Sequence, residues 1–325
     1  MYTPPFTVSA KAINLIAEIS AQIERYSIRM ERMDSLMLRK ANRIKTVHSS
    51  LAIEGNSLSE GDVTAILEGK TVIAPQRQIL EVRNALKTYE LYNSLDPFSI
   101  EDILKAHLSM MCGLIDDAGI FRKKGVGVFD GTNIIHVAPP AERVKDLMED
   151  LFAWLRSSSD HLLIRSCVFH YEFEFIHPFS DGNGRTGRLW QSLILGKLNP
   201  IFEHLPIENM VYTHQQDYYN AIYQSSSKGD SQPFIDFMLQ EILDTLVEHQ
   251  EHSVEETGRG HGLNKGETQA LEYIKADNRI TAVKLAEKLG MKPRQAERIL
   301  SGLKNKGIIK RIGANRNGFW EILAE

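Results

Sequence analysis

From His177 to Arg188 the chain reads HPFSDGNGRTGR. One histidine, one carboxylate, three glycines, an asparagine and two arginines share twelve residues. A packing loop needs one or two glycines for backbone geometry, not glycines interleaved with potential phosphate ligands. Histidine suits proton removal near neutral pH. Glycine lets backbone N–H groups approach phosphate oxygens closely, and successive N–H groups form an anion-binding nest.

Two elements must hold these residues. Residues 162–176 carry apolar and aromatic side chains at helical spacing, so a helix is expected there. Pro178 disfavours helical geometry for the residue before it, which puts His177 at that helix's end. A second helix is expected over residues 185–195, buried through Leu189, Trp190, Leu193 and Ile194. The loop between them therefore ends on a helix N-terminus, where free N–H groups and the dipole favour an anion.

Two familiar patterns are excluded. Gly182-Asn-Gly-Arg-Thr-Gly187 spells G-x-G-x-x-G, but that fingerprint has meaning only between a strand and a helix. The segment before it is helical in pattern. A Walker loop would need lysine where Arg188 stands and Ser or Thr where Leu189 stands.

With every fixed position matched, the stretch resembles the signature of the Fic family, H-P-F-x-[DE]-G-N-G-R-x-x-R. The resemblance implies a mainly α fold, with a helical Fic domain and a β-hairpin flap. It implies a protein adenylyltransferase that moves AMP from ATP, with Mg2+, onto a hydroxyl of a target protein. In that reading His177 is the general base and Asp181 the metal ligand. Gly182, Asn183 and Gly184 cradle phosphates, and Arg185 and Arg188 contact the β- and γ-phosphates. The chemistry is coherent, because metal and arginines stabilise charge on a pyrophosphate leaving group. One carboxylate suffices for magnesium, which keeps waters and takes phosphate oxygens.

Ser50-Leu-Ala-Ile-Glu54-Gly55 resembles the inhibitory motif of the same family, [ST]-x-x-x-E-[GN]. The resemblance implies that Glu54 pairs with Arg188 and competes with the γ-phosphate for its bidentate fork. Gly55 reads as a helix stop, and Ser59-Glu-Gly-Asp62 as the capping box of the next helix.

The chain has 325 residues, 42% of them hydrophobic, and a net charge of −4. That length suggests about two domains. Residues 265–325 hold 13 Lys and Arg against 7 Asp and Glu, a net of +6. The rest holds 25 against 35, so a separate basic module is expected at the C-terminus. No signal peptide and no membrane-length apolar run are visible. Cys112 and Cys167 show no disulfide or metal spacing and are expected as buried small residues. A soluble cytoplasmic protein is the default expectation, with no membrane partner.

Four further segments complete the reading. His107 is expected as a core or boundary histidine without a catalytic role. Asp130-Gly-Thr-Asn133 between β-branched runs is a hairpin signal and resembles the Fic flap, which aligns a target by strand addition. Ile134 and Ile135 are its candidate target contacts. Tyr218 and Tyr219 resemble the tyrosine pair near the adenine pocket in Fic proteins, and stacking on a base is one reading. Two core tyrosines on an amphipathic helix is the other.

The expected organisation is a helical region over 1–115 with its inhibitory helix ending near 55. A catalytic core over 116–250 carries the flap at 119–140. A linker follows over 251–266, then a module over 267–325 that resembles a winged helix-turn-helix. Arg294, Gln295 and Arg298 lie where a recognition helix meets a major groove. Lys310, Arg311 and Arg316 are candidate phosphate neutralisers. Winged helices also dock proteins, so DNA and protein partners both stay open, as does a homodimer. AMP removal or ATP hydrolysis at the same site, and a DNA-binding regulator, are the competing functions. The target protein, which can be the chain itself, is not legible.

Overall fold

The computed structural model describes residues 2–30, 35–130, 133–203, 205–258, 265–305, 308–312 and 319–322. The chain divides into two compact units, Met1–Val247 and Glu248–Glu325.

The first unit is built from α1 (Ala10–Met30), α2 (Ser35–Ile53), α3 (Glu60–Leu67), α4 (Gln76–Glu90) and α5 (Ile100–Met111). The hairpin β1 (Gly127–Asp130) and β2 (Asn133–Val137) follows. Then come α6 (Val144–Ser157), α7 (Leu162–Ile176), α8 (Asn183–Gly196), α9 (Ile207–Thr213), α10 (Gln215–Lys228) and the start of α11 (Gln232–Gly258).

Helix α7 is apolar on nearly every face, so it must be enclosed. Leu163, Val168, Phe169 and Phe173 are fully buried, and α6 and α8 pack against it. Helix α8 also meets α5 and α2. The loop between α7 and α8 is thereby anchored at both ends in the core.

Helix α2 stops as its sequence demands. Gly55 takes φ +87°, and Asn56 N donates to Leu51 O at 3.1 Å, the long bond of a Schellman ending. The α3 capping box forms: Asp62 N donates to Ser59 Oγ and Ser59 N to Asp62 Oδ2. This turn sets where the last residues of α2 project.

Strands β1 and β2 pair antiparallel from Gly127↔Val137 to Asp130↔Asn133, with a register shift between Val128 and Phe129. Ile134 pairs with Phe129 in the ladder. The side chains of Ile134 and Ile135 lie outside the described residues.

The second unit holds α12 (Lys265–Ala276), α13 (Ala282–Leu289), α14 (Pro293–Asn305) and the antiparallel pair β3 (Ile309–Ile312) and β4 (Phe319–Ile322). Thr281 caps α13, Gly290 ends it at φ +65°, and Pro293 opens α14. Ala270, Ile274, Leu285, Ala296, Leu303 and Ile308 form a core of their own. Trp320 ties the strand pair to it by donating Nε1–H to Ile280 O at 3.1 Å. Arg316 lies outside the described residues.

Two expectations need correction. Helix α11 runs to Gly258, into the segment expected as linker. Residues 249–257 contain no proline or glycine to stop a helix. Cys112 is exposed, because it sits where α5 ends and the chain turns outward; Cys167 is buried, as expected. Burial pushes the Cys167 thiol up to about 12. No described helix is long and apolar enough to cross a membrane.

Separate cores predict separate melting. Leu285→Ala should destabilise the C-terminal unit by about 2–5 kcal/mol, while the transition of the first unit stays in place. Calorimetry that shows both units shifting together would contradict this.

Candidate functional site

His177 caps α7 with φ 49° and ψ 63°, the one left-handed non-glycine among the described residues. Pro178 disfavours a helical His177, and the left-handed region is costly for a side chain with a Cβ, by about 1–3 kcal/mol. Arg122 holds it there. Its Nε donates to His177 O at 2.7 Å and its Nη2 to Ile176 O at 3.2 Å. The same guanidinium donates to Lys124 O and Pro139 O, on either side of the hairpin. One buried cation therefore satisfies two carbonyls at the end of α7 and ties them to the base of the flap.

The loop then closes on itself. Asn183 accepts from Phe179 N and donates to Phe179 O, both at 2.9 Å. This side chain shapes the loop and is 2% exposed, so its part is to hold the backbone rather than to present its amide. Phe179 stacks on His107 with ring centroids 3.6 Å apart. His107 Nδ1 accepts from Gly119 N at 2.8 Å, which leaves the proton on Nε2 for Asp181 O at 2.9 Å. Burial drives the His107 pKa down to about 4, consistent with that neutral form. His107 is thus in the core as expected, yet it positions the carboxylate loop.

Gly182 adopts φ +82° and opens α8. A Cβ there would lie 2.6 Å from Met111 Sδ. Asp181 Oδ1 accepts from Gly182 N at 2.6 Å and from Arg185 Nη2 at 2.9 Å. Arg77 Nη2 lies 3.4 Å from Asp181 Oδ2. The Asp181 side chain is 39% exposed, so it can exchange these partners.

Arg188 is the most enclosed charge of the loop, with its side chain 3% exposed. Its Nε donates to Ser50 Oγ at 3.2 Å, and its Nη2 to Ser50 O and Glu54 Oε1, both at 2.8 Å. The end of α2 thus reaches across to the first turns of α8. A Cβ on Gly184 would collide with Glu54 Oε1 and approach Arg188 Nη1 to 2.9 Å. Burial by itself lowers the Arg188 pKa, but Glu54, Tyr218 and Glu174 override this and raise it.

Two further carboxyls surround this arginine. Burial pushes Glu174 on α7 up to about 8, opposed by Arg188 and reinforced by Glu54. Burial likewise pushes Glu208 on α9 up to about 7; its Oε1 accepts from Tyr89 OH at 3.1 Å. His170 Nε2 and Tyr218 OH are 3.0 Å apart, and burial holds His170 down at about 4.

The sequence expectations therefore separate. His177, Asp181, Gly182, Gly184, Arg185 and Arg188 share one loop and helix start, and Ser50 and Glu54 join them from α2. Tyr218 does not offer a face to a base: it is 2% exposed, enclosed by His170, Tyr219, Phe234 and Phe237. Its helix packs inward, so core residence wins. Tyr219 is half-buried, near Gln215, whose Nε2 donates to Ile53 O at 3.2 Å. In the second unit, Arg294, Gln295 and Arg298 are exposed on α14, and Gln295 Oε1 also accepts from Lys292 N. Arg122, Glu208 and the bridging of His107 were not foreseen as site features, because their partners lie far away in sequence; Glu174 was not foreseen although His177 is three residues on, because its burial depends on the helices packed around it.

Among the described residues, no group of three or more His, Cys, Asp or Glu could hold a metal ion.

A model of the Fic/DOC family matches residues 97–195, and one described as winged helix-turn-helix DNA-binding matches residues 267–310. Proteins named protein adenylyltransferase Fic are similar in Aedes aegypti, at 31% identity over 63% of this chain and 42% of theirs. The Nematostella vectensis protein of that name is 31% identical over 59% of this chain and 45% of its own. The chain thus spans less than half the length of these curated relatives. A crystal structure of a Fic family protein from Desulfovibrio desulfuricans is 38% identical, with a TM-score of 0.78. The match covers 100% of this chain and 99% of that one, and on this ground the chain belongs to the Fic family.

Proposed function

We propose that the first unit transfers AMP from ATP to a hydroxyl side chain of a protein, and that Glu54 restrains it. The observation that carries this reading is the Glu54–Arg188 pair at 2.8 Å, placed against Gly184 at the start of α8. A helix start with open N–H groups, two arginines and a neighbouring histidine suits a nucleotide's phosphates and an attacking hydroxyl. Relatives named protein adenylyltransferase support the same chemistry.

In this reading His177 takes the hydroxyl proton. The oxygen then bonds to the α-phosphorus, the bond to the β-phosphate oxygen breaks, and pyrophosphate leaves. Arg185 and Arg188 bind the β- and γ-phosphates. The exposed Asp181 carboxylate suits Mg2+, an ion content with one protein oxygen plus waters and phosphate oxygens. That ion, bound with ATP, would supply charge neutralisation at the phosphates. Gly184 stands where phosphorylating relatives carry lysine, which argues for transfer of AMP. The flap would align the target backbone by strand addition, with Ile134 and Ile135 as its side-chain contacts.

Glu54 occupies the arginine fork that a γ-phosphate needs, so the two compete. Glu54→Gly should raise transfer of labelled AMP at least about tenfold, the scale of one charge-assisted contact. Adding His177→Ala should abolish the label, with self-modification as the readout. Equal labelling of wild type and Glu54→Gly would sink the restraint; label surviving His177→Ala would sink the base. A second test concerns His107: His107→Leu removes its bond to Asp181 O and the bond it accepts from Gly119 N. It should weaken Mg-ATP binding in calorimetric titration about tenfold.

The second unit carries its own reading. Exposed Arg294 and Arg298 on α14, with a net charge of +6 over residues 265–325, favour duplex DNA as its partner. Arg294→Ala with Arg298→Ala should weaken duplex binding and flatten its salt dependence. Binding that is absent in the intact protein at low salt would leave protein docking as the role of this unit.

A further inference from the structure

Glu174 is a buried carboxyl that the transfer steps above do not use. It is 8% exposed, and its Oε1 has no hydrogen-bond partner. It sits three residues before His177 on the last turn of α7. His177 Nδ1 lies 3.4 Å from the Glu174 backbone oxygen and 3.9 Å from Glu174 Oε2. These oxygens favour a proton on Nδ1, which leaves the lone pair on Nε2.

A second feature makes room for this carboxyl. Gly187 lies inside α8 with an ordinary helical backbone, where glycine costs about 1 kcal/mol relative to alanine. A Cβ there would lie 2.8 Å from Glu174 Oε1 and 3.1 Å from Phe173 Cδ1. Gly187 therefore serves the close approach of α7, and the Glu174 carboxyl fills the space.

We propose that Glu174 is a positioning residue for His177, holding the Nδ1–H tautomer and stabilising the imidazolium formed when the target hydroxyl gives up its proton. This rests on the AMP-transfer reading. The proton passes from the hydroxyl to His177 Nε2 and does not move to Glu174. The oxygen within hydrogen-bond distance of Nδ1 is the Glu174 backbone carbonyl, and the carboxylate at 3.9 Å acts on the imidazolium through its charge. Here the acid precedes the base by one helical turn.

The groups facing Glu174 set its charge. On its own helix these are His170, at 4.0 Å, and His177. Arg188 faces it from α8, Glu54 from α2, and Tyr218 and Tyr219 from α10. Burial raises the carboxyl to about 8, with Arg188 pulling down and Glu54 pushing up. The carboxylate form therefore grows as pH rises through that range. It strengthens His177 as a base there, so the rate should rise across the same limb.

The test uses the full chain with Glu54→Gly as parent, and adds Glu174→Gln or Glu174→Ala. Glutamine keeps the shape and one acceptor oxygen but not the charge. The parent's kcat for AMP transfer should rise with pH along a limb that lies lower than in the intact chain, because Glu54→Gly removes one of the charges that push Glu174 up. In Glu174→Gln that limb should vanish and kcat at high pH should fall about tenfold, with KM for ATP changed less than about twofold. Unchanged kcat and pH profile in both variants would overturn the proposal. Nitrogen-15 NMR of labelled histidine gives an independent readout. His177 should carry its proton on Nδ1 in the parent, and its nitrogen shifts should respond as Glu174 ionises, a response lost in Glu174→Gln. Identical shift-against-pH curves in the two proteins would overturn the proposal too. If the parent makes no AMP-protein at all, the transfer reading fails, while the NMR response still decides the coupling of Glu174 to His177.

Discussion

A guanidinium as enclosed as that of Arg188 must find donors' partners and counter-charge inside the protein, or its desolvation goes uncompensated. Ser50 and Glu54 supply three of its hydrogen bonds from the end of α2. Glu174 and Glu208 add carboxyls from α7 and α9, both raised toward neutrality by burial. Four helices thus meet around one cation. Glu54 differs from the other two acids in being 31% exposed on its side chain, at a helix end. It is the acid that can leave while the arginine keeps its Ser50 hydrogen bonds and two buried carboxyls nearby. A restraint built on that residue can be released without dismantling the core beneath it.

The second constraint is the reversal between α7 and α8. A rigid, fully enclosed helix delivers His177, and a left-handed residue turns the chain at once. Arg122, Asn183 and His107 each fix one part of the loop: the carbonyls of α7, the Phe179 peptide and the Asp181 carbonyl. None of them need touch a nucleotide to matter. They order the backbone before a ligand arrives, so less freedom is lost on binding. Arg122 also reaches Pro139 and Lys124, which makes the base of the flap and the backbone of the proposed base one hydrogen-bonded assembly.

Local chemistry was readable wherever a residue's role depends on its immediate neighbours. Pro178 announced the end of α7, Gly55 the end of α2, Ser59 and Asp62 a capping box, and Asp130-Gly131 a hairpin. Reading failed where the alternatives were equal in sequence and differed only in surroundings. Tyr218 and Tyr219 are chemically alike and adjacent, yet one is enclosed by aromatic rings and the other is half-exposed. Cys112 and Cys167 are likewise the same residue in helical contexts, one exposed at a helix end and one buried in α7.

The sequence by itself determined the chemical repertoire: a histidine, a carboxylate, two arginines and glycines on a loop that must end on a helix start. It also determined the mainly helical fold with a hairpin, and a basic C-terminal module. Backbone geometry and helical periodicity act over a few residues, so such features are written in order along the chain. Only the tertiary structure decided which distant groups complete the site. Arg122 lies 55 positions from His177, and His107 lies 74 from Asp181; the Glu54–Arg188 pair, 134 positions apart, was expected only through the family resemblance. It decided as well that Glu174 is held away from water and Gly187 leaves room for it. Charge and protonation depend on burial and on neighbours in space, and neither is local in sequence.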